Sequence, residues 1–250
     1  MAESTEPIRL LLIVLAVNEE LELEKTVHGL QSTCSPELVA GMVLLLAQNA
    51  TEGCLRTARS LAEAGLPIPT QVVVQPSRDI PGCIKAVLDS RPDATHMMIA
   101  FSDYCMESDD LAGLVANAAR DRDRIYKFSR ALAGGTFKPE YRPGEVRLYL
   151  LFCICIRILF WSHITDPVFQ VVVSPVQLFQ SVRFKFTSMA FGAEWMYALL
   201  RRKTPMVEIP VVSLPRIGPI ALTRRNNHRL HYLLAAIRTR FAPKKYIWEA

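Results

Sequence analysis

The segment MMIAFSDYCMESDD (97–110) runs as an apolar strand into a single carboxylate, Asp103, followed by a few irregular residues and a pair of acids. A carboxylate at a strand tip can hold a hard divalent cation such as Mg2+ or Mn2+, which needs only one or two protein oxygens when substrate phosphates and water supply the others. The same aspartate also suits a turn, where its side chain bonds nearby backbone, so turn capping stands beside the metal reading. Glu107 and Asp109 are placed to favour the start of the next helix. Downstream, DRIYKFSRALAGGTFKPEYRPGEVR strings Lys127, Arg130, Lys138, Arg142 and Arg147 around Gly134 and Gly135. Cations beside a glycine pair can close over phosphates as a lid, or form no more than a solvated basic loop. His228 and His231 lie three apart without a third ligand near them.

These groups need elements to position them. Apolar runs alternate with amphipathic segments: IRLLLIVLAV and a helix from about Glu19 to Leu30, VAGMVLLLAQ and a helix around Leu55–Ala64, TQVVVQ and a helix across Ile84–Leu88, HMMIAFSD and a helix across Leu111–Ala119. Strand and helix in fourfold alternation predict an α/β domain with a mostly parallel sheet covered on both faces. In such sheets a ligand binds beyond the carboxyl ends of the strands. Val17, Asn18 and Glu19, Gln48 and Asn49, Gln75 to Ser77, and Ser102 with Asp103 should therefore converge on one crevice. Asn18 and Glu19 equally suit the start of the first helix. No Gly-x-Gly-x-x-Gly and no P-loop pattern follows any of the strands, so the usual dinucleotide and P-loop readings do not apply.

The chain has 250 residues, half of them apolar, enough for one large core. Its net charge of +5 is too modest to argue for nucleic acid, but the stretch from Arg216 onward carries eight Arg or Lys against the single acid Glu249, which predicts a basic C-terminal face. Six cysteines lack the spacing of a disulfide framework or a zinc site and read as reduced thiols. The first apolar run is short and has no basic residues before it, so it reads as a strand rather than a signal peptide, and a cytoplasmic location is expected. LYLLFCICIRILFW (148–161) contains Arg157 and is too short to span a bilayer, so it is either a core helix or one lying on a membrane surface. Leu230, Leu233, Leu234, Ile237 and Phe241 recur at helical spacing beside basic residues, again as an amphipathic surface helix or as ordinary packing.

The order of these segments resembles the family-2 glycosyltransferases of GT-A fold, in particular the dolichyl-phosphate mannosyltransferase and polyprenyl-phosphate glycosyltransferase branch. IVLAVNEELELEKTVHGL resembles the family's first strand and its Asn-Glu turn. LLLAQNATEGCLRTARSLAEAG resembles the second strand, with Gln48 and Asn49 near its expected acids. MMIAFSDYCMESDDLAGLV resembles the strand of the Asp-x-Asp metal motif, with Phe101 at its first position and Asp103 at its second. HITDPVFQVVVSPVQLF, FGAEWMYALLRRKTPMVEIPV and LPRIGPIAL resemble the acceptor-side segments, keeping Asp166, Glu194, Glu208 and Arg216, while Ile220 and Ala221 stand near the expected Ser and Lys. The resemblance covers roughly residues 8–240.

What the resemblance implies is a single GT-A domain, with a nucleotide-sugar-binding half (8–120), an acceptor half (121–222) and a basic C-terminal helix and tail (223–250). It implies an enzyme that moves a hexose, with inversion, from a nucleotide sugar to a polyprenyl phosphate at the cytosolic membrane face, using Mg2+ or Mn2+. Asp103 would hold the metal and form the catalytic set with Asp166 and Glu194. Val17, Asn18, Glu19, Gln48, Asn49, Ser102, Lys127, Arg130, Arg142, Arg147 and Arg216 would contact the donor. An acceptor phosphate is already ionised at neutral pH, so positioned cations would suffice without a strong general base. Two other readings fit the same residues: transfer to a soluble acceptor, a natural product or polysaccharide, and a domain that has lost catalysis and only binds, as Phe101, Gln48 and Asn49 would allow.

Overall fold

The computed structural model describes residues 7–102, 106–215 and 229–249. One sheet of seven strands organises the chain: β1 (Leu10–Ala16), β2 (Val39–Leu46), β3 (Thr70–Val74), β4 (His96–Phe101), β5 (Ile125–Ser129), β6 (Val172–Pro175) and β7 (Met206–Pro210), in the order β3-β2-β1-β4-β6-β5-β7. Every pairing is parallel except those of β6, which runs antiparallel to both β4 and β5. The four expected strand–helix repeats are all present, with α1 (Glu20–Thr33), α2 (Glu52–Glu63), α3 (Ile80–Asp89) and α4 (Ser108–Arg120) following β1 to β4.

The strands β1, β2 and β4 read as unbroken apolar runs because both of their faces are covered. Leu10, Leu12 and Val14 pack with α1, α2 and α4, whereas Leu11, Ile13 and Leu15 join the cluster that includes α3 and the later helices. Those later helices are α5 (Pro143–Phe160), the short α6 (Val176–Gln180), α7 (Phe191–Arg202) and α8 (Arg229–Phe241). Local signals set their ends. Thr51 accepts from Cys54 N at 3.2 Å to cap α2, Asp79 accepts from Gly82 N at 3.1 Å to cap α3, and Pro143 opens α5. The edge strands β3 and β7 are the half-exposed ones, and β7 ends in Pro210. Four of the cysteines are buried free thiols and Cys155 is an exposed one; Cys105 lies outside the described residues.

α5 resolves the choice between core and surface by being both. Cys153, Ile156 and Phe160 are buried on its inner side, while Leu148, Leu151, Ile154 and Ile158 are exposed on its outer side. α8 behaves alike, with Ala235, Ala236 and Thr239 buried and Leu230, Leu233, Leu234, Ile237 and Phe241 exposed. No helix among the described residues is long and apolar enough to cross a membrane.

α8 is tied down by Glu194. That side chain is buried in α7, accepts from the backbone N–H of Lys185 at 2.9 Å and of Phe186 at 3.0 Å, and forms an ion pair with Arg238 of α8. Burial pushes its carboxyl above the ordinary value, against the pull of those donors and of Arg238. Replacing Glu194 by Ala strands two backbone donors and a guanidinium at once. The variant is expected to lose about 3 kcal/mol in urea unfolding, while Leu151→Ala on the exposed face changes stability by less than about 0.5 kcal/mol.

Candidate active site

Because β1 to β5 and β7 share one direction and β6 opposes them, the carboxyl ends of those strands and the segment leading into β6 meet at one edge of the sheet. Backbone bonds hold the first part of this edge together: Ser102 N donates to Leu15 O at 2.9 Å, Ala47 N to Ala16 O at 2.9 Å, and Thr51 N to Val17 O at 2.9 Å. The turn after β1 is shaped by Glu19. Its buried carboxylate accepts from Val17 N at 2.8 Å, from Asn18 N at 3.0 Å and from Ser102 Oγ at 3.3 Å. Glu19 thus occupies the N-cap position of α1 yet folds back on the turn, joining the end of β1 to the end of β4.

Val17, Asn18, Glu19, Gln48, Asn49 and Ser102 are therefore neighbours at this edge. Gln48 and Asn49 are exposed there, and Asn18 Oδ1 is a buried acceptor with no hydrogen-bond partner. Asp103, the residue after Ser102, lies outside the described residues, as does Arg216. Among the described residues there is no group of three His, Cys, Asp or Glu side chains able to hold a metal ion.

The second part of the edge is a buried charge cluster. Lys127 and Glu208 are register partners on β5 and β7, with Nζ and Oε1 3.6 Å apart. Lys127 Nζ also donates to the carbonyls of Phe128 and Asp166. Glu208 accepts from Asp166 N at 2.9 Å, Thr165 N at 2.7 Å and Thr165 Oγ1 at 2.9 Å, so one carboxylate fixes the bend that leads into β6. Asp166 is fully buried. Its oxygens accept from Arg130 N at 3.1 Å, Arg130 Nε at 2.9 Å, Arg130 Nη2 at 3.2 Å, Phe169 N at 3.2 Å and the Tyr149 hydroxyl. The Arg130 guanidinium lies over the rings of Phe169, Tyr149 and Phe137 at 4.4, 4.9 and 5.0 Å.

Several of the residues expected to meet a ligand meet the protein's own groups. Lys127 is no lid cation: it is completely buried, and its partners are the protein's own carboxylates, because β5 turns that side chain inward between β7 and the approach to β6. Arg130 is likewise engaged by Asp166. Asp166, expected in the catalytic set, presents a carboxylate already saturated by five donors, and Glu194, expected beside it, is spent on the 185–186 turn and Arg238. The glycine pair lies close against the sheet. Gly134 has φ +89°, and a Cβ on Gly135 would meet Ser129 O at 2.7 Å, while Thr136 N donates to Val211 O at 2.9 Å and pins the loop to the sheet. Only Arg142, whose backbone N–H is capped by Glu145 at 2.9 Å, and Arg147 keep exposed side chains.

Two residues at this edge, Tyr149 and Gln170, escaped the sequence reading, and Glu208 was named there by resemblance without its role. Tyr149, on the inner side of α5, bonds both Asp166 and Arg130. Glu208 organises the bend, and its signal was present as the lone charge at the centre of MVEIP, matching the lone Lys127 in IYKFS. Gln170, buried just before β6, donates to Met189 O at 3.3 Å and leaves its Oε1 without a partner. It packs so closely on α7 that a Cβ on Gly192 would fall 2.1 Å from its Cδ. No periodic signal marks it.

The cluster makes a pH prediction. Burial alone would raise the Asp166 carboxyl, but the Arg130 and Lys127 charges and the bonds from Arg130 and Tyr149 outweigh it and hold the group at about 2. A folded-state value below the unfolded one, near 4, stabilises by about 2 kcal/mol above pH 4, and this contribution is lost as the pH falls toward 2. Asp166→Asn is expected to cost roughly 3 kcal/mol at neutral pH, with the gap to the unaltered protein narrowing between pH ~4 and ~2. Urea unfolding across that range checks it, and a gap that stays constant there contradicts the assignment.

No family model and no curated protein matches the chain. Solved structures do. Glucosyl-3-phosphoglycerate synthase from Mycobacterium tuberculosis, in complex with Mn2+, uridine diphosphate and phosphoglyceric acid, superposes with a TM-score of 0.68 at 13% identity, over 94% of this chain and 80% of that one. The same synthase with Mg2+ and uridine diphosphate gives 0.64 at 14% identity, over 93% and 79%. A further mycobacterial protein gives 0.67 at 15% identity, over 94% and 76%. Likeness at this level of identity establishes the fold, and the fold expected from the sequence, a mostly parallel GT-A-like sheet between two layers of helices, is the one observed.

Proposed function

We propose that the protein is a nucleotide-sugar-dependent glycosyltransferase that moves a hexose to a phosphate-bearing acceptor. The observation that carries this reading is the set of polar side chains gathered at the carboxyl edge of β1, β2 and β4, in a fold whose solved counterparts hold uridine diphosphate with Mn2+ or Mg2+. The crevice offers hydrogen-bonding side chains with spare capacity: Gln48 and Asn49 are exposed and the Asn18 Oδ1 acceptor awaits a donor, as a nucleobase N–H or a ribose hydroxyl would supply. A buried acceptor without a partner is costly unless a ligand satisfies it.

We take Asp103, which follows Ser102 in the sequence, as the principal protein ligand of a hard divalent ion, with diphosphate oxygens and water completing its shell. Such an ion, when bound, neutralises charge developing on the departing diphosphate. The chain's own contribution is positional. Glu19 fixes the turn that presents Asn18, while Glu208, Lys127 and Asp166 hold Arg130 and Tyr149 at the far side of the crevice. Arg142 and Arg147 stand at the start of α5 with exposed guanidinium groups able to receive an acceptor phosphate, and Arg216 would join them. An ionised phosphate oxygen needs orientation rather than deprotonation to attack the anomeric carbon.

For the acceptor we take a polyprenyl phosphate, reached by peripheral attachment to the cytosolic membrane face. The outer faces of α5 and α8 favour it over a small soluble phosphate such as phosphoglycerate, because a soluble substrate gives those exposed leucines no purpose.

Calorimetry with a panel of nucleoside diphosphates, with and without Mn2+, tests the donor side. Asp103→Ala is expected to abolish the Mn2+-dependent part of the affinity without unfolding the protein, and Asn18→Ala to weaken nucleotide binding about tenfold, the loss of one hydrogen bond to a ligand. Unchanged Mn2+ dependence in Asp103→Ala removes the metal assignment. Incubation of labelled donor with polyprenyl phosphate or with phosphoglycerate decides the acceptor.

A further inference from the structure

Ten of the fifteen large hydrophobic side chains that the described residues expose belong to α5, its C-cap and α8. On α5, Leu148, Leu151, Ile154 and Ile158 recur at three- and four-residue spacing on the side opposite Cys153, Ile156 and Phe160, so the helix carries apolar side chains on its outer as well as its inner side. A helix of that kind is ordinarily covered on all sides. Trp161 ends it in a left-handed conformation, φ 51°, and is 82% exposed. On α8 the five exposed apolar residues face away from buried Ala235, Ala236 and Thr239. Arg240 Nε donates to Leu159 O at 2.8 Å, and Lys203 Nζ donates to the carbonyls of Phe160 and Trp161 at 2.7 and 2.9 Å. The Arg240 bond ties the end of α5 to α8, and the Lys203 bonds tie it to the C-cap of α7, so the two outer faces belong to neighbouring helices.

On the two helices cations outnumber acids. α8 contains no acid, and the only acid of α5 is Glu145 in its first turn, where it caps Arg142 N. Arg147 and Arg157 on α5 and Lys244 and Lys245 just after α8 are exposed. A bare apolar surface beside exposed cations, with a tryptophan at its margin, matches the layered chemistry of an anionic bilayer: acyl chains beneath, phosphate headgroups at the rim, an indole at the boundary.

We infer that the neighbouring outer faces of α5 and α8 dock on an anionic membrane surface, with Leu151, Ile158, Trp161, Leu234, Ile237 and Phe241 entering the acyl boundary. The docking also explains the layout of the site. The inner side of α5 carries Tyr149 to Arg130 and Asp166, so its first turns, with Arg142 and Arg147, lie at the crevice edge while its outer side meets the lipid. A lipid phosphate held at headgroup level is thereby presented to the crevice without leaving the bilayer. This purpose rests on the glycosyltransferase reading; the docking itself does not.

Vesicle co-sedimentation of the full chain, in the absence of donor, tests it. Expected are binding to vesicles of phosphatidylcholine with about one third phosphatidylglycerol, a marked loss in pure phosphatidylcholine, and weakening at high salt. Ile158→Glu combined with Leu234→Glu, both at exposed positions, should lower partitioning into the anionic vesicles at least tenfold and leave nucleoside diphosphate affinity in calorimetry unchanged. Trp161→Phe should remove the quenching of tryptophan fluorescence by brominated lipid. The inference is overturned if the unaltered protein ignores anionic vesicles, if the double variant binds them equally well, or if size-exclusion chromatography shows a dimer that the same two substitutions dissociate, since a second copy then covers the face. Vesicle binding that persists while no sugar reaches any lipid phosphate upholds the docking and removes the acceptor proposal.

Discussion

Lys127 and Glu208 face one another as register partners near the middle of two adjacent strands, fully or nearly out of contact with water. Either charge alone would be ruinous there, since taking an ion out of water costs several kcal/mol and only a well-placed partner offsets it. The pair is compensated further. Glu208 also receives the backbone of Thr165 and Asp166, Lys127 reaches the Asp166 carbonyl, and Asp166 in turn binds Arg130 and Tyr149. Two positive and two negative groups thus interlock β5, β7, the approach to β6 and α5. Burial pulls the Lys127 ammonium below its ordinary value and pushes the Tyr149 phenol well above it, so tyrosine stays a donor to Asp166. Such a network has little tolerance for partial assembly, which makes it a means of fixing geometry rather than of adding stability.

The two parts of the crevice edge are built on different principles. On the β1–β4 side, positions are set by backbone bonds between neighbouring parallel strands, with one carboxylate, Glu19, gathering the turn. Three peptide-borne or hydroxyl donors satisfy it, so the turn is rigid while Asn18 next to it retains an unused acceptor. On the β5–β7 side the strands are short and held by side chains. Rigidity next to spare hydrogen-bonding capacity is what a ligand-binding edge requires, since groups already positioned need not be ordered on binding.

The alternation of apolar runs with amphipathic segments disclosed β1 to β4 to within two residues and their helices to within four, because a strand covered on both faces is apolar along nearly its whole length. The gathering of Val17, Asn18, Glu19, Gln48, Asn49 and Ser102 at one edge of the sheet followed from the parallel topology. The fate of individual charges did not follow. Lys127, Arg130 and Asp166 look alike in sequence whether they meet a ligand or one another, and that choice is made by residues such as Glu208, roughly forty positions or more away along the chain. IYKFS and MVEIP carried a readable hint, one charge amid otherwise apolar or small residues in each, that they would pair. α5 was ambiguous for a related reason: apolar residues on both of its sides say that the helix wants covering and leave the covering unnamed. Gln170 depended on the close approach permitted by Gly192, a contact with no signature at the level of pattern.

The reversed strand β6 imposes an order on biosynthesis. β1 to β4 pair as consecutive strand–helix units, so their ladder needs no strand downstream of residue 120, although the face of Leu11, Ile13 and Leu15 is fully covered only when α5 and α7 arrive. β5 has no place beside β4; the seat between them belongs to β6, whose residues emerge from the ribosome about seventy positions after β4. Throughout that interval the β4 edge, His96 to Ile99, displays unpaired amides and carbonyls on an apolar strand, the arrangement most prone to capture by another nascent chain. Arrival of Val172–Pro175 seals the edge and brings Thr165 and Asp166 toward Glu208, so closing the sheet and neutralising the buried charges are a single late event.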